Sequence, residues 1–133
     1  MPIITNHVIA LLQVFDMRKL VAFYCDILGF EVLQKHEPDG HLYRALLKLG
    51  GARVMLNAMY EDDQRPAQPD LNRIAAHADT TLYFDCPNVD DAYEHLRAKG
   101  LSPKPPKVAY YGIKQLYLKD PDGYALCFQH PAE

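Results

Sequence analysis

Two stretches of the chain follow the same order of apolar and polar positions. Residues 7–14, HVIALLQV, are almost wholly apolar and β-prone, and Asp16 then offers a helix cap before MRKLVAFYCDILGF. TLYFDC repeats the apolar strand, and Asn88 repeats the cap before VDDAYEHLRAK. The two caps lie about 72 residues apart, roughly half the chain, so the pattern predicts a duplicated unit inside one fold.

Each predicted helix carries one apolar stripe and ends at a glycine, Gly29 or Gly100. Apolar residues recur at three- and four-residue spacing, which predicts that each helix packs one face on a sheet. The stripe residues are Met17, Leu20, Val21, Tyr24, Ile27 and Leu28 in the first helix, and Val89, Ala92, Tyr93 and Leu96 in the second.

Strand-like segments follow both helices. They are FEVLQKHE, LYRALLKLG and ARVMLNAMY in the first half, and GIKQLYLK and YALCFQ in the second. Proline and glycine mark turns between them at Pro38–Gly40, Gly50–Gly51 and Asp120–Gly123. Both halves therefore read as βαβββ, which predicts an α+β fold of two βαβββ modules.

The predicted organisation is a single domain over residues 1–133, with module one at about 5–60 and module two at about 80–130. Residues 61–79 between them are polar, contain two prolines and show no sustained period, so they are interpreted as a connector. Pro103, Pro105 and Pro106 favour an extended segment that borders a cavity mouth.

Composition narrows the possible partners. With 49% hydrophobic and 23% charged residues, the chain is typical of a globular protein rather than a disordered one. The net charge of −3 argues against nucleic acid, and no apolar run is long enough to cross a membrane, so a cytoplasmic protein is expected. Cys25, Cys86 and Cys127 lack CxxC spacing and are interpreted as buried, reduced thiols.

Three phrases carry a resemblance to a known family: VFDMRKLVAFYCDILGFEV, VMLNAM and YGIKQLYLKDPDGYALCF. They resemble the vicinal oxygen chelate superfamily, which comprises glyoxalase I, bleomycin resistance proteins and extradiol dioxygenases. The resemblance implies paired βαβββ units whose sheets curl into a cup. In many members it also implies a divalent metal, held by one residue from each of four strands.

The four positions that correspond to those metal ligands are Ile9, Met55, Thr81 and Cys127. Only Cys127 has a donor of the kind that a divalent ion requires, so neither a metal nor another cofactor is expected. A shifted metal site around His7 is an alternative, because His7 shares the face of Ile9 by two-residue alternation. The other five histidines are expected at the surface: His36 and His41 at a hairpin turn, and His77, His95 and His130 elsewhere.

Alternation along the strands predicts which side chains face the cup. They are His7, Ile9, Leu11, Gln13, Arg53, Met55, Asn57, Thr81, Tyr83, Asp85, Gln115, Tyr117, Lys119, Cys127 and Gln129. This mixture of apolar walls and a few polar groups is typical of a site for a medium-sized organic molecule. Tyr110 and Tyr111 add stacking surface for a planar or cationic ligand, or are interface residues instead.

The leading hypothesis is a protein that binds a small organic or antibiotic-like molecule in a metal-free cup at a homodimer interface, as the bleomycin resistance members imply. No catalytic residue is assigned, since Ser102 is the only serine and no GxSxG elbow exists. A second hypothesis is a lyase, isomerase or dioxygenase that uses an atypical metal site with His7, or Tyr117 or Asp85 in proton transfer. The third is an accessory domain whose cup is filled core, with Arg53 and Lys119 at its rim.

Overall fold

The computed structural model describes residues 1–132 and divides the chain into two compact units. The first spans Met1–Pro69, and the second begins at Asp70. Among the described residues no helix is long and apolar enough to cross a membrane.

The first unit is a βαβββ module. Its elements are β1 (Ile9–Val14), α1 (Met17–Ala22), β2 (Glu31–His36), β3 (Arg44–Leu49) and β4 (Ala52–Ala58). The strands pair in the order β1-β4-β3-β2, with β1 parallel to β4 and the other pairs antiparallel. The predicted Gly50–Gly51 turn joins β3 to β4, because Leu49 pairs directly with Ala52.

The first helix begins as the sequence predicts. The Asp16 side chain accepts a hydrogen bond from the Lys19 backbone N–H at 3.2 Å, and Gly29 follows the helix with a φ of 92°. The predicted helix does not stay α-helical, because Phe23–Ile27 form a π-helical turn. The helix α1 packs on β4 of the sheet. The buried core of this unit includes Met17, Leu20 and Tyr24 from α1 and the turn, and Leu12, Val14, Val54 and Leu56 from the strands.

The second unit repeats the module after an additional helix. Its elements are α2 (Leu71–Ala76), β5 (Thr81–Asp85), α3 (Val89–Ala98), β6 (Lys107–Val108), β7 (Ile113–Lys119) and β8 (Ala125–Pro131), in the sheet order β5-β8-β7-β6. Asn88 caps α3 by accepting from the Asp91 backbone N–H at 3.1 Å. The predicted α+β class with two βαβββ modules is confirmed, and β6 supplies the strand that the sequence pattern did not show.

The segment 61–79, interpreted as the connector between the modules, contains a short helix. Residues 71–76 form α2, which is capped by Asp70 and held on the Asp120–Gly123 turn. Arg73 forms an ion pair with the buried carboxylate of Asp122 at 2.8 Å. His77, expected at the surface, lies 2.7 Å from the Asp122 carbonyl oxygen and stacks on the Tyr124 ring at 3.8 Å.

The cysteine prediction is only partly correct. Cys127 is completely buried, whereas Cys25 and Cys86 are half-exposed. Cys25 lies in the π-helical turn and Cys86 directly follows β5, so both are at the margin of the core rather than in it.

Candidate ligand-binding site

Each sheet has one face covered by its own helix and one open face. In β1, Leu12 and Val14 are buried on the covered face, whereas Ile9 and Leu11 on the other face are 41% and 48% exposed. The register then aligns Ile9 with Arg53, and Leu11 with Met55. The predicted cup-facing residues of the strands therefore belong to the open faces, because pleated strands alternate their side chains.

His7 precedes the strand, which begins at Ile9, and its side chain is exposed. Its place on the cup face relied on extending the strand alternation two residues before β1, so it stays a prediction.

A polar row crosses the open face of the first sheet. The Asn57 amide donates to the Gln13 side-chain oxygen at 2.9 Å, and its own oxygen accepts from Arg44 Nε at 3.3 Å. A cavity of about 480 Å³ lies at this row, lined by His36, Tyr43, Arg44 and Asn57. Gln13 and Asn57 were predicted to face a ligand; here they hold each other and Arg44 in position.

The open face of the second sheet carries a row of two tyrosines and a cysteine. Cys127 pairs with Tyr83 on one side and with Tyr117 on the other, and the two phenol oxygens lie 3.2 Å apart. The hydrogen bond with Tyr83, together with desolvation, raises the pKa of Tyr117 far above its ordinary value. Burial likewise raises the pKa of the Cys127 thiol, so at neutral pH Tyr117 stays a phenol and Cys127 a thiol.

The next row along this sheet is polar. Asp85, Gln129, Gln115 and Lys107 align across the four strands β5, β8, β7 and β6. Gln115 is only 8% exposed, and its Nε2 donates to the Tyr111 hydroxyl and to Gln129 Oε1, both at 2.9 Å. Two bonds from one amide fix the position of the Gln115 side chain.

A cavity of about 630 Å³ lies over the β6 and β7 side of this face. Its lining residues are Lys104, Pro105, Lys107, Val108, Ala109, Tyr110, Gln115 and Tyr117. Tyr110 is fully exposed and Tyr117 is 46% exposed, so both rings are open to contact from outside the chain. The walls are mostly apolar or aromatic, and the polar groups are few, which is the make-up of a site for an organic molecule.

Sequence reasoning found only part of this lining. Tyr110, Gln115 and Tyr117 were predicted, and Tyr111 takes part indirectly by holding Gln115. Lys104, Lys107, Val108 and Ala109 were missed because they lie outside the segments identified as strands. The signal in the sequence that pointed to this part of the lining was the run of prolines at 103–106. It predicted an extended segment at a cavity mouth, and Pro105 is part of the lining.

The remaining predicted site residues lie outside this cavity. Ile9, Gln13, Arg53, Met55 and Asn57 belong to the first unit; Thr81, Tyr83, Asp85 and Cys127 lie on β5 and β8 of the second.

The residues at the family's metal positions do not suit a divalent ion. Isoleucine has no donor atom, and a methionine thioether and a threonine hydroxyl are poor ligands for such an ion. Cys127, which is completely buried, is the one residue of the four with a suitable donor, and a single ligand does not hold a divalent ion. In residues 1–132 no three His, Cys, Asp or Glu side chains are grouped so that they could hold an ion.

Two βαβββ modules, each with an open sheet face, define the class of protein. Residues 4–128 match the model of the Glyoxalase/Bleomycin resistance protein/Dioxygenase superfamily, and the chain belongs to this family. The family predicted from the sequence is thus confirmed. No protein of curated function matches the chain significantly.

Solved structures support the same fold. TioX from Micromonospora sp. ML1 superposes with a TM-score of 0.74 at 20% identity, with 96% of this chain and 99% of TioX covered. TnmS3, an antibiotic binding protein from Streptomyces sp. CB03234, gives 0.69 at 22% identity, with 98% and 100% covered. The bleomycin-binding protein of Streptomyces verticillus, solved with copper(II)-bleomycin, gives 0.69 at 17% identity, with 99% of both chains covered.

Proposed function

We propose that this protein binds a small organic, antibiotic-like molecule without a metal ion, and that the cavity over β6 and β7 is its binding site. The observation that carries the proposal is the lining of this cavity, in which the exposed rings of Tyr110 and Tyr117 accompany Pro105 and Val108 around the fixed amide of Gln115. Apolar area supplies affinity, and the few polar groups orient the guest. Two structurally similar proteins are described as binding an antibiotic or bleomycin.

The enzyme alternative has less support from the same residues. Tyr117 would have to release its proton to act as a base, and its raised pKa opposes this near neutral pH. Asp85 is exposed and lies at the strand β5, outside the cavity lining. Tyr117 and Asp85, the two residues named for proton transfer, therefore support the enzyme alternative less well than the cavity lining supports binding.

The proposal includes a homodimer. Large apolar side chains remain exposed on the first unit, among them Ile9 and Leu11 on the open face and Val32 and Leu33 on β2. These side chains lie on the two edge strands of the sheet, and exposed apolar side chains at either edge are available for contact with a second copy of the chain. Light scattering coupled to size-exclusion chromatography should give twice the mass of the chain, and a monomer at micromolar concentration would remove this part of the proposal.

The test of binding uses metal-stripped protein and an uncharged aromatic fluorophore, N-phenylnaphthylamine. Its fluorescence should rise on binding, and Tyr117→Ala should weaken the affinity by about tenfold, since truncating a central aromatic contact typically costs ~1.4 kcal/mol or more. Tyr60→Ala, which removes an exposed tyrosine from the first unit, is the matched control and should leave the affinity unchanged.

Elemental analysis of the purified protein accompanies this titration. Metal at one equivalent per chain, or binding that returns only when zinc, nickel, iron or manganese is added, would contradict the proposal. Equal affinities for wild type and Tyr117→Ala would place the binding elsewhere.

A further inference from the structure

The charged residues that line the cavity are all positive. Lys104 and Lys107 both line it, and the lining contains no Asp or Glu among the described residues. Lys104 and Lys107 are exposed at the side of the cavity formed by the proline-broken segment and β6.

Neither ammonium group is neutralised nearby. In the described part of the chain, Lys114 is paired with Asp90 at 2.6 Å, whereas no ion pair involves Lys104 or Lys107. The acid in the same row of the sheet is Asp85, which lies on β5, three strands away from Lys107 on β6. Three strand spacings amount to about 14 Å, where salt at physiological strength screens most of an exposed charge.

The other polar groups of the lining are uncharged. The raised pKa of Tyr117 keeps its phenol protonated, and Gln115 is an amide held by Tyr111 and Gln129. A guest stacked on Tyr110 or Tyr117 would therefore meet two positive charges at one end of the cavity and no compensating negative charge. A cationic guest is repelled by this arrangement, although tyrosines alone would attract one.

We infer that the guest is an aromatic anion: a planar ring system with a carboxylate, sulfonate or phosphate group, which stacks on Tyr110 and Tyr117 while Lys104 and Lys107 hold the acidic group. This inference rests on the proposed function and names the chemical class of its ligand. It also fixes an orientation, with the acidic end toward β6 and the uncharged end along the Tyr117 side of β7.

The experiment compares two probes that share one skeleton. Anilinonaphthalene sulfonate carries a sulfonate that N-phenylnaphthylamine lacks, and both are titrated by fluorescence. The sulfonate probe should bind about 25-fold more tightly at low salt, because a unit charge near an ammonium in a solvated site contributes about fivefold and the two lysine contributions multiply. Its affinity should fall as salt is raised, whereas the affinity of the uncharged probe should not.

The variants Lys104→Gln and Lys107→Gln should each weaken the sulfonate probe about three- to tenfold and leave the uncharged probe unchanged. Lys99→Gln, which removes an exposed lysine of the same unit outside the cavity, is the matched control. Circular dichroism melts verify that all three variants fold.

The outcomes separate this inference from the proposed function. If both probes bind equally, Tyr117→Ala weakens both and the lysine variants change neither, the site exists but its preference for anions is wrong. If neither probe responds to Tyr117→Ala, the site itself is wrong and both proposals fail. A loss of sulfonate binding in Lys99→Gln as large as in Lys107→Gln would show a general charge effect and also overturn the inference.

Discussion

A side chain at Gly123 would be unfavourable for two reasons, the backbone conformation and the close contact with Ile74. Its φ is 86°, a region that other residues rarely adopt, and a Cβ atom there would come within 2.6 Å of Ile74 Cγ2 and 2.9 Å of the Ile74 carbonyl oxygen. Gly100 shares the backbone constraint, with a φ of 92°, but a Cβ there meets nothing within 4 Å. The two positions therefore separate the cost of backbone conformation from the cost of close packing.

Gly123→Ala should lower the free energy of unfolding by about 3 kcal/mol, because overpacking against α2 adds to the strain of a positive φ. Gly100→Ala should lose only about 1 kcal/mol from the backbone term. Urea denaturation of both variants measures the difference. Losses of equal size would mean that α2 moves away from the turn without cost.

His41 and Asp62 form a pH-dependent pair near the hairpin turn of the first unit. His41 Nδ1 lies 2.8 Å from Asp62 Oδ2, and this hydrogen bond raises the pKa of His41 and lowers the pKa of Asp62. A histidine with a raised folded-state pKa contributes stability below its ordinary pKa and loses that contribution as the pH rises through the raised value. The Asp62 contribution is lost instead as the pH falls through its lowered pKa.

The His41–Asp62 pair should therefore stabilise the fold at pH values between the lowered pKa of Asp62 and the raised pKa of His41. In an NMR titration of wild type, the His41 ring should titrate above the ordinary histidine value, and Asp62→Asn should move its pKa downward. Unchanged titration of His41 in Asp62→Asn would show that the pair does not form in solution.

At the scale of elements, α2 depends on tertiary contacts rather than on its own sequence. A six-residue helix is too short to be stable alone or to display a full apolar period. Asp70 caps it, and Arg73 and His77 attach it to the Asp120–Gly123 turn. The turn itself is held by Asp120 Oδ1, which accepts from the Asp122 and Tyr124 backbone N–H groups at 2.9 and 3.0 Å.

Arg73→Ala should lower the free energy of unfolding by about 2–3 kcal/mol, since it leaves the carboxylate of Asp122, 3% exposed, without its guanidinium partner. Arg97→Ala removes an exposed ion pair with Glu94 and should cost at most about 0.5 kcal/mol. Denaturant unfolding measures both.

A double-mutant cycle with Asp122→Asn distinguishes the ion pair from simple loss of packing. The double variant should lose less stability than the sum of the two single variants, because the buried charge is gone. Strict additivity would contradict a direct coupling between Arg73 and Asp122.

Sequence patterns predicted the elements whose ends are marked by residues within the element or directly beside it. Asp16 and Asn88 cap their helices as expected, and Gly29 and Gly100 follow them with positive φ. Two elements were missed: α2, which is stabilised by the distant turn at Asp122, and the two-residue β6, which forms a short hairpin with β7. Neither carries enough residues for a periodic pattern to show.

For the whole molecule, the duplicated pattern and three phrases were sufficient for the fold and the family. Alternation placed Tyr83, Cys127 and Tyr117 on one face of the second sheet, and the strand register aligns them in one row. Alternation does not extend to irregular segments, and half of the cavity lining, including Lys104 and Ala109, comes from such a segment. The charge of the site was therefore not predictable from the strands.

The central claim is that the cavity over β6 and β7 binds an organic guest without a metal. The most direct test is an amide NMR titration of chelator-treated protein with anilinonaphthalene sulfonate. The largest changes in chemical shift should occur at residues 104–111 and around Gln115 and Tyr117, with no metal added. Changes confined to other residues, or changes that arise only after a divalent metal is supplied, would contradict the claim.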